Sequence, residues 1–153
     1  SGNLLTVEID RMRYVLDVAK ADSVGKQNIN YPDRAYAFDG DLNTTGSFLT
    51  TTSTSFVPGD AGVDMGRADG YLVYFKVGYY SQGGYYIYVT FEASPDLANW
   101  YALWSAQTTS GTEQIGTAHF YVTSYRAFRF VFRAGRGDVS AAMRTYEIAV
   151  FRI

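Results

Sequence analysis

The chain has 153 residues, enough for one domain with a real core, and 47% hydrophobic against 18% charged residues is the balance of a folded globular protein. A net charge of −2 argues against strong attraction to nucleic acid or an anionic membrane, and no apolar run is long enough to span a bilayer. Cysteine is absent, which excludes disulfides, thiolate metal sites and cysteine nucleophiles. No signal peptide is visible, and Ser1-Gly2 resembles a cloning remnant, so further sequence upstream is expected. The unusual number is 17% aromatic residues, with 14 Tyr and 10 Phe. Tyrosine suits both β-strands and wet binding surfaces, because it offers a flat apolar face and a polar tip.

In chain order, no segment reads as a long amphipathic helix. Residues 12–18 favour a strand through their β-branched and aromatic content, and residues 19–32 read as loop, punctuated by Ser23, Gly25, Asn28, Asn30 and Pro32. Residues 36–49 hold the densest polar chemistry, taken up below. Residues 50–60, rich in Thr and Ser and closed by Pro58-Gly59, read as a surface connection with one short strand near Phe56. From Gly70 the pattern becomes a succession of strands: 71–80, a turn at 81–84, 85–93, a turn at 94–99, 100–107, a polar turn, and 114–122. Over 125–133 the alternation is clear, with Phe128, Phe130 and Phe132 on one face and Arg129, Val131 and Arg133 on the other, as in a half-buried strand. Residues 134–142 form a Gly-rich loop and 144–153 the last strand. Strands at regular spacing joined by turns predict a single all-β domain, an antiparallel sandwich or barrel. The N-terminal 32 residues are its least defined part.

The stretch Asp39-Gly40-Asp41-Leu42-Asn43-Thr44 packs two carboxylates, an amide and a hydroxyl into six residues around a glycine turn. Such a turn aims oxygens at one point, the arrangement calcium requires, and two adjacent carboxylates favour a cation between them. An EF-hand does not fit, because Thr44 stands where that loop needs Gly and Thr50 where it needs Glu. A metal here would need ligands from a distant segment; a solvated Asp/Asn turn without metal is the alternative.

Five motifs, in this order, resemble the discoidin-like (coagulation-factor type C) domains and the related galactose-binding-like carbohydrate-binding modules. The first is Ala37-Phe38-Asp39-Gly40-Asp41-Leu42-Asn43-Thr44, similar to the family's Ala-x-Asp-Gly-(Asp/Asn)-x-x-Thr loop. Val63-Asp64-Met65-Gly66 is similar to its Val-Asp-Leu-Gly step, and Ser94-Pro95-Asp96-Leu97-Ala98-Asn99-Trp100 to its Ser-x-Asp-Gly-x-x-Trp turn, although Leu97 replaces the glycine. Tyr125-Arg126-Ala127-Phe128-Arg129-Phe130 and Tyr146-Glu147-Ile148-Ala149-Val150-Phe151 resemble its last two strands. The resemblance covers about residues 33–153 and implies a jelly-roll β-sandwich. It also implies a structural calcium that ties the first loop to the last strand. By position, its ligands would be the carbonyls of Tyr36, Asp41 and Tyr146, the carboxylates of Asp39 and Glu147, and Thr44 through carbonyl and hydroxyl, with metal binding becoming folding energy. The first loop departs from the family where Thr45-Gly46-Ser47-Phe48 stands in place of a directly following Trp.

The resemblance further implies a non-catalytic module that binds carbohydrate through loops at one end of the sandwich, a sugar site needing an aromatic face and a few fixed polar groups. Phe48, Phe56, Tyr79, Tyr80, Tyr85, Arg136 and Asp138 are the residues offered by such loops, with Arg136 and Asp138 as a polar clamp. For each aromatic, packing is the competing role, and for Arg136 and Asp138 a solvated turn. Trp100 reads as core and Trp104 is open. The tripeptide Arg136-Gly137-Asp138 is also an integrin motif, but three residues recur by chance. No catalytic order is visible around the single His119, and no spacing marks a carboxylate pair among four Glu and eleven Asp. The expectation is an extracellular or cell-surface module attached to a larger protein, such as a glycan-degrading enzyme or a virion or phage-tail component. No membrane insertion is expected. The alternative from another class is a structural or assembly domain whose aromatics pack against another chain.

Overall fold

A computed structural model describes Ala37, Phe38, Leu42, Asn43 and residues 47–152. The expected strand at 12–18, the loop at 19–32, and the metal-ligand candidates Tyr36, Asp39, Asp41 and Thr44 lie outside the described residues. Six strands follow one another: β1 (Ser47–Thr51), β2 (Val57–Ser81), β3 (Ile87–Ser94), β4 (Tyr101–Thr108), β5 (Gln114–Ala134) and β6 (Ala141–Arg152). All pairings are antiparallel, in the order β1-β6-β2-β5-β3-β4. Among the described residues no helix is long and apolar enough to cross a membrane.

The register resolves this ladder into two layers. Residues 71–79 of β2 pair with 114–122 of β5, whereas 57–64 pair with 127–132, with register shifts between. β6 pairs with the second half of β2 and β3 with the second half of β5. The first layer is therefore β1, β6, 71–81 of β2 and 114–122 of β5. The second is 57–64 of β2, 127–134 of β5, β3 and β4. Phe75 of the first layer meets Phe91, Phe130 and Trp104 of the second, with ring centroids 4.7, 5.0 and 4.9 Å apart. The layers thus face each other across one core, and the eight strand segments have the sheet order of a jelly roll. The all-β antiparallel sandwich expected from the alternation is the fold observed.

The core is mostly aromatic. Tyr71, Phe75, Phe91, Phe128, Phe130 and Phe132 are fully buried, and each buried Phe contributes about 1.5–3 kcal/mol. The triplet Phe128, Phe130 and Phe132 does face inward, as its alternation requires. Trp104 packs on Phe75, so it is the core tryptophan. Trp100 is not; it lies on the outer face of the second sheet, correcting its expected role. The physical reason is a register shift between Phe91 and Glu92, beyond which Ala102 rather than Leu103 stands opposite Glu92.

The Thr/Ser-rich stretch is shorter as a loop than expected: β1 ends at Thr51 and β2 starts at Val57. Strands expected at 114–122 and 125–133 are halves of one long strand that bends between the layers.

Candidate functional site

The outward faces of 57–58, 129–133, β3 and β4 form a groove on the second sheet. Two adjoining hollows, of about 320 and 400 Å³, share Phe56 and Thr90 as walls. The smaller also has Tyr88, Ser105 and Gln107; the larger has Glu92, Trp100 and Arg129. The period of two explains this lining, because inward Phe91, Phe130 and Phe132 force Thr90, Arg129, Val131 and Arg133 outward.

Planar groups stack along the groove. The Arg129 guanidinium lies 3.9 Å from the Trp100 ring centroid, and its Nε donates to Glu92 Oε1 at 2.7 Å. Arg133 lies between Tyr88, at 4.0 Å, and Phe56, at 5.4 Å. The Thr90 and Ser105 hydroxyls are hydrogen-bonded to each other at 3.2 Å. Phe56, the last residue before β2, is 48% exposed, so its ring faces solvent between the two hollows.

An aromatic track continues to one end of the sandwich. Tyr86 stacks on Tyr88 with centroids 6.3 Å apart, and Tyr85 meets Tyr86 edge-on at 6.2 Å. Arg136 lies 5.1 Å from the Tyr85 ring and binds Asp138 through two bonds of 3.0 and 2.6 Å. Arg136 and Asp138 are thus bound to each other on an exposed turn. This pairing, led by its hydrogen bonds, holds the Asp138 carboxyl below the usual range. Gly135 permits the approach of the two loops: its amide donates to the Tyr86 carbonyl at 2.9 Å, and a Cβ there would sit 2.5 Å from that oxygen.

The other expected ligand residues go elsewhere. Tyr79 faces the core against Trp104 at 6.3 Å, and burial raises its hydroxyl pKa. Phe48 and Tyr80 stack at 6.5 Å on the outer face of the first sheet, with the Arg144 guanidinium 4.9 Å from Phe48. Of the seven, Tyr85, Arg136 and Asp138 come together at the end loops, Phe48 and Tyr80 pair on the first sheet, and Phe56 stands in the groove. Tyr88, Thr90, Glu92, Trp100, Arg129 and Arg133 were not singled out as ligand residues. The signal available was the polar face of the 125–133 alternation, which marks a solvated face as readily as a site.

At the expected calcium region, Ala37 and Phe38 are buried in the core. Glu147 is buried, 1% exposed, on β6, beside the register shift that makes room for Tyr146. Its cross-strand partner is Lys76, whose Nζ donates to the Leu42 carbonyl at 2.9 Å and lies 4.7 Å from the Tyr146 ring. Tyr146 in turn donates to Glu113 at 2.5 Å. Lys76 thus reaches both Leu42 of the first loop and Tyr146 of the last strand. Among the described residues there is no group of three or more His, Cys, Asp or Glu able to hold a metal. His119 is exposed on β5.

No family model and no curated protein matches the chain. Solved structures show distant likeness. A carbohydrate-binding module, CBM32-1 from a family 31 glycoside hydrolase of Clostridium perfringens, is 16% identical with a TM-score of 0.45, over 87% of this chain and 97% of that one. The PBSX exported protein XepA is 15% identical with a TM-score of 0.44, over 70% of this chain, which spans 36% of XepA. A family 16 carbohydrate-binding module is 10% identical with a TM-score of 0.40, over 69% of this chain and 76% of that one. At identities and TM-scores this low, these likenesses assign neither a family nor a ligand.

Proposed function

We propose that the chain is a non-catalytic carbohydrate-binding module whose sugar site is the groove on the second sheet. One observation carries this: exposed Phe56 walls two adjoining hollows and is flanked by stacked guanidinium–aromatic pairs, hydroxyls and an amide. A pyranose has an apolar C–H face, which an aromatic ring covers, and a rim of hydroxyls, which planar polar groups bind. Hollows joined at Phe56 and Thr90 fit several sugar units laid across the strands better than one enclosed monosaccharide. Apart from Phe56 and Trp100, which stand just ahead of β2 and β4, the side chains stand on strands, so little ordering remains to oppose binding. Glycoside hydrolysis commonly needs two carboxyl groups flanking the bond, and among the described residues Glu92 is the one carboxylate lining the hollows. Tyr85, Arg136 and Asp138 extend the same surface toward the end loops. The parent would be an extracellular or virion protein that uses the module for targeting.

A glycan array followed by affinity gels with soluble polysaccharides tests this. Wild type is expected to be retained, and Phe56→Ala to lose about tenfold or more in affinity with an unchanged melting temperature. A blank array from a folded sample, with self-association that grows with concentration, would favour the assembly-domain alternative.

The structural calcium is part of the proposal. Buried Glu147 and the loop carrying Asp39, Asp41 and Thr44 are the groups that would hold it, with the ion's charge offsetting theirs. Millimolar calcium should then raise the melting temperature and chelator lower it, and Asp39→Ala with Glu147→Ala should abolish the difference. Identical melting in both conditions would overturn the calcium site.

A further inference from the structure

Seven arginines lie among the described residues, and six of them are within ion-pair distance of a carboxylate: Arg67, Arg126, Arg129, Arg136, Arg144 and Arg152. Arg133 is the exception. Its one hydrogen bond runs from Nη1 to the Ala134 carbonyl, a long 3.3 Å. Its guanidinium carbon lies over the Tyr88 ring at 4.0 Å and over the Phe56 ring at 5.4 Å, both walls of the smaller hollow. Stacking fixes the plane of a guanidinium without using its N–H edge, which keeps that fork open for a planar anion. Its strand neighbour Arg129 is different, because Glu92 already takes its Nε.

We infer that the groove selects an acidic glycan, one carrying uronic-acid carboxylates, and that Arg133 is the specificity-determining residue that pairs with the sugar carboxylate. This rests on the groove being a sugar site. Bulk electrostatics would not produce such selectivity, since a net charge of −2 repels a polyanion. The preference must come from a local cation with no carboxylate partner among the described residues. Within the groove the Arg129 and Glu92 charges offset each other, so Arg133 leaves a surplus positive charge beside Phe56. A sugar ring on Phe56 places an equatorial carboxylate on the ring's rim, the direction in which a neighbouring guanidinium plane presents its N–H groups.

The test uses the whole chain on affinity gels containing polygalacturonate, its fully methyl-esterified form, or a neutral xylan, at low and high salt. The expected result is retention by polygalacturonate, at least about tenfold weaker retention by the methyl ester, and weakening with salt. Arg133→Gln should lose the preference for the acid, its retention by polygalacturonate falling to that by the methyl ester, with the melting temperature unchanged. Arg133→Lys should recover only part of it, because a point charge neither stacks nor forks. Equal retention on acid and ester, with both lost in Phe56→Ala, would overturn the acidic selectivity and leave the groove as a neutral-glycan site. Retention on none of the three matrices by a folded sample, or binding indifferent to Phe56→Ala, would overturn the groove itself.

Discussion

Leu97 is the described non-glycine residue with positive φ, at 67°. It sits in the turn leading to Trp100, where the resembled motif has glycine. For an L-residue this conformation costs roughly 1–2 kcal/mol. The turn is held regardless by its neighbours. Ser94 Oγ accepts from the Leu97 amide at 2.8 Å, and Asp96 Oδ1 accepts from the Ala98 and Asn99 amides at 2.9 and 2.8 Å. Those bonds, led by the Asn99 amide, hold the Asp96 carboxyl far below the usual range. The motif's hydrogen bonding is kept while its easiest backbone residue is not. Leu97→Gly should therefore stabilise the fold by about 0.5–1 kcal/mol, the strain removed less the greater freedom of glycine in the unfolded chain, as read by denaturant midpoint.

At the scale of elements, the bend of β2 and β5 decides everything downstream, because it carries both strands from one layer to the other. The Val63-Asp64-Met65-Gly66 step is where β2 turns. Gly66 has φ of 89°, and its amide donates to Asp64 Oδ1 at 2.8 Å. Arg126 of β5 donates to both Asp64 oxygens, at 2.7 and 2.9 Å. Two motifs distant in sequence thus form one corner. A Cβ at residue 66 would meet nothing within 4 Å, so the cost of Gly66→Ala is conformational alone. It should be about 1–2 kcal/mol of folding stability, measured by chemical denaturation.

For the molecule as a whole, the aromatic core brings a sensitivity to alkali. Burial raises the Tyr74 and Tyr79 hydroxyls, Tyr74 also through the nearby Glu147 charge, and burial with the Glu113 hydrogen bond pushes Tyr146 up to about 12. In the unfolded chain each titrates near 10. Above that pH the unfolded state sheds protons that the folded state keeps, so stability is full below pH 10 and falls between about 10 and 12. A series of denaturation midpoints across that window should show the decline, and Tyr146→Phe should flatten it. An unchanged slope in Tyr146→Phe would contradict the role given to that hydroxyl.

Strand positions, the inward Phe128, Phe130 and Phe132, and the all-β class were legible in the sequence, because side-chain alternation and turn chemistry are local properties. The self-paired Arg136 and Asp138 were legible for the same reason, being two residues apart. That Trp104 and not Trp100 packs in the core was not, since it depends on a register shift against a partner strand. Nor was the groove. Phe56, Tyr88, Trp100 and Arg133 come from four separate stretches, and only the pairing of strands sets them on one face. The sequence by itself determined which residues alternate and where the chain turns; the tertiary structure decided which polar face became a lined hollow and which arginine was left without a carboxylate, because both depend on contacts between strands far apart in the chain.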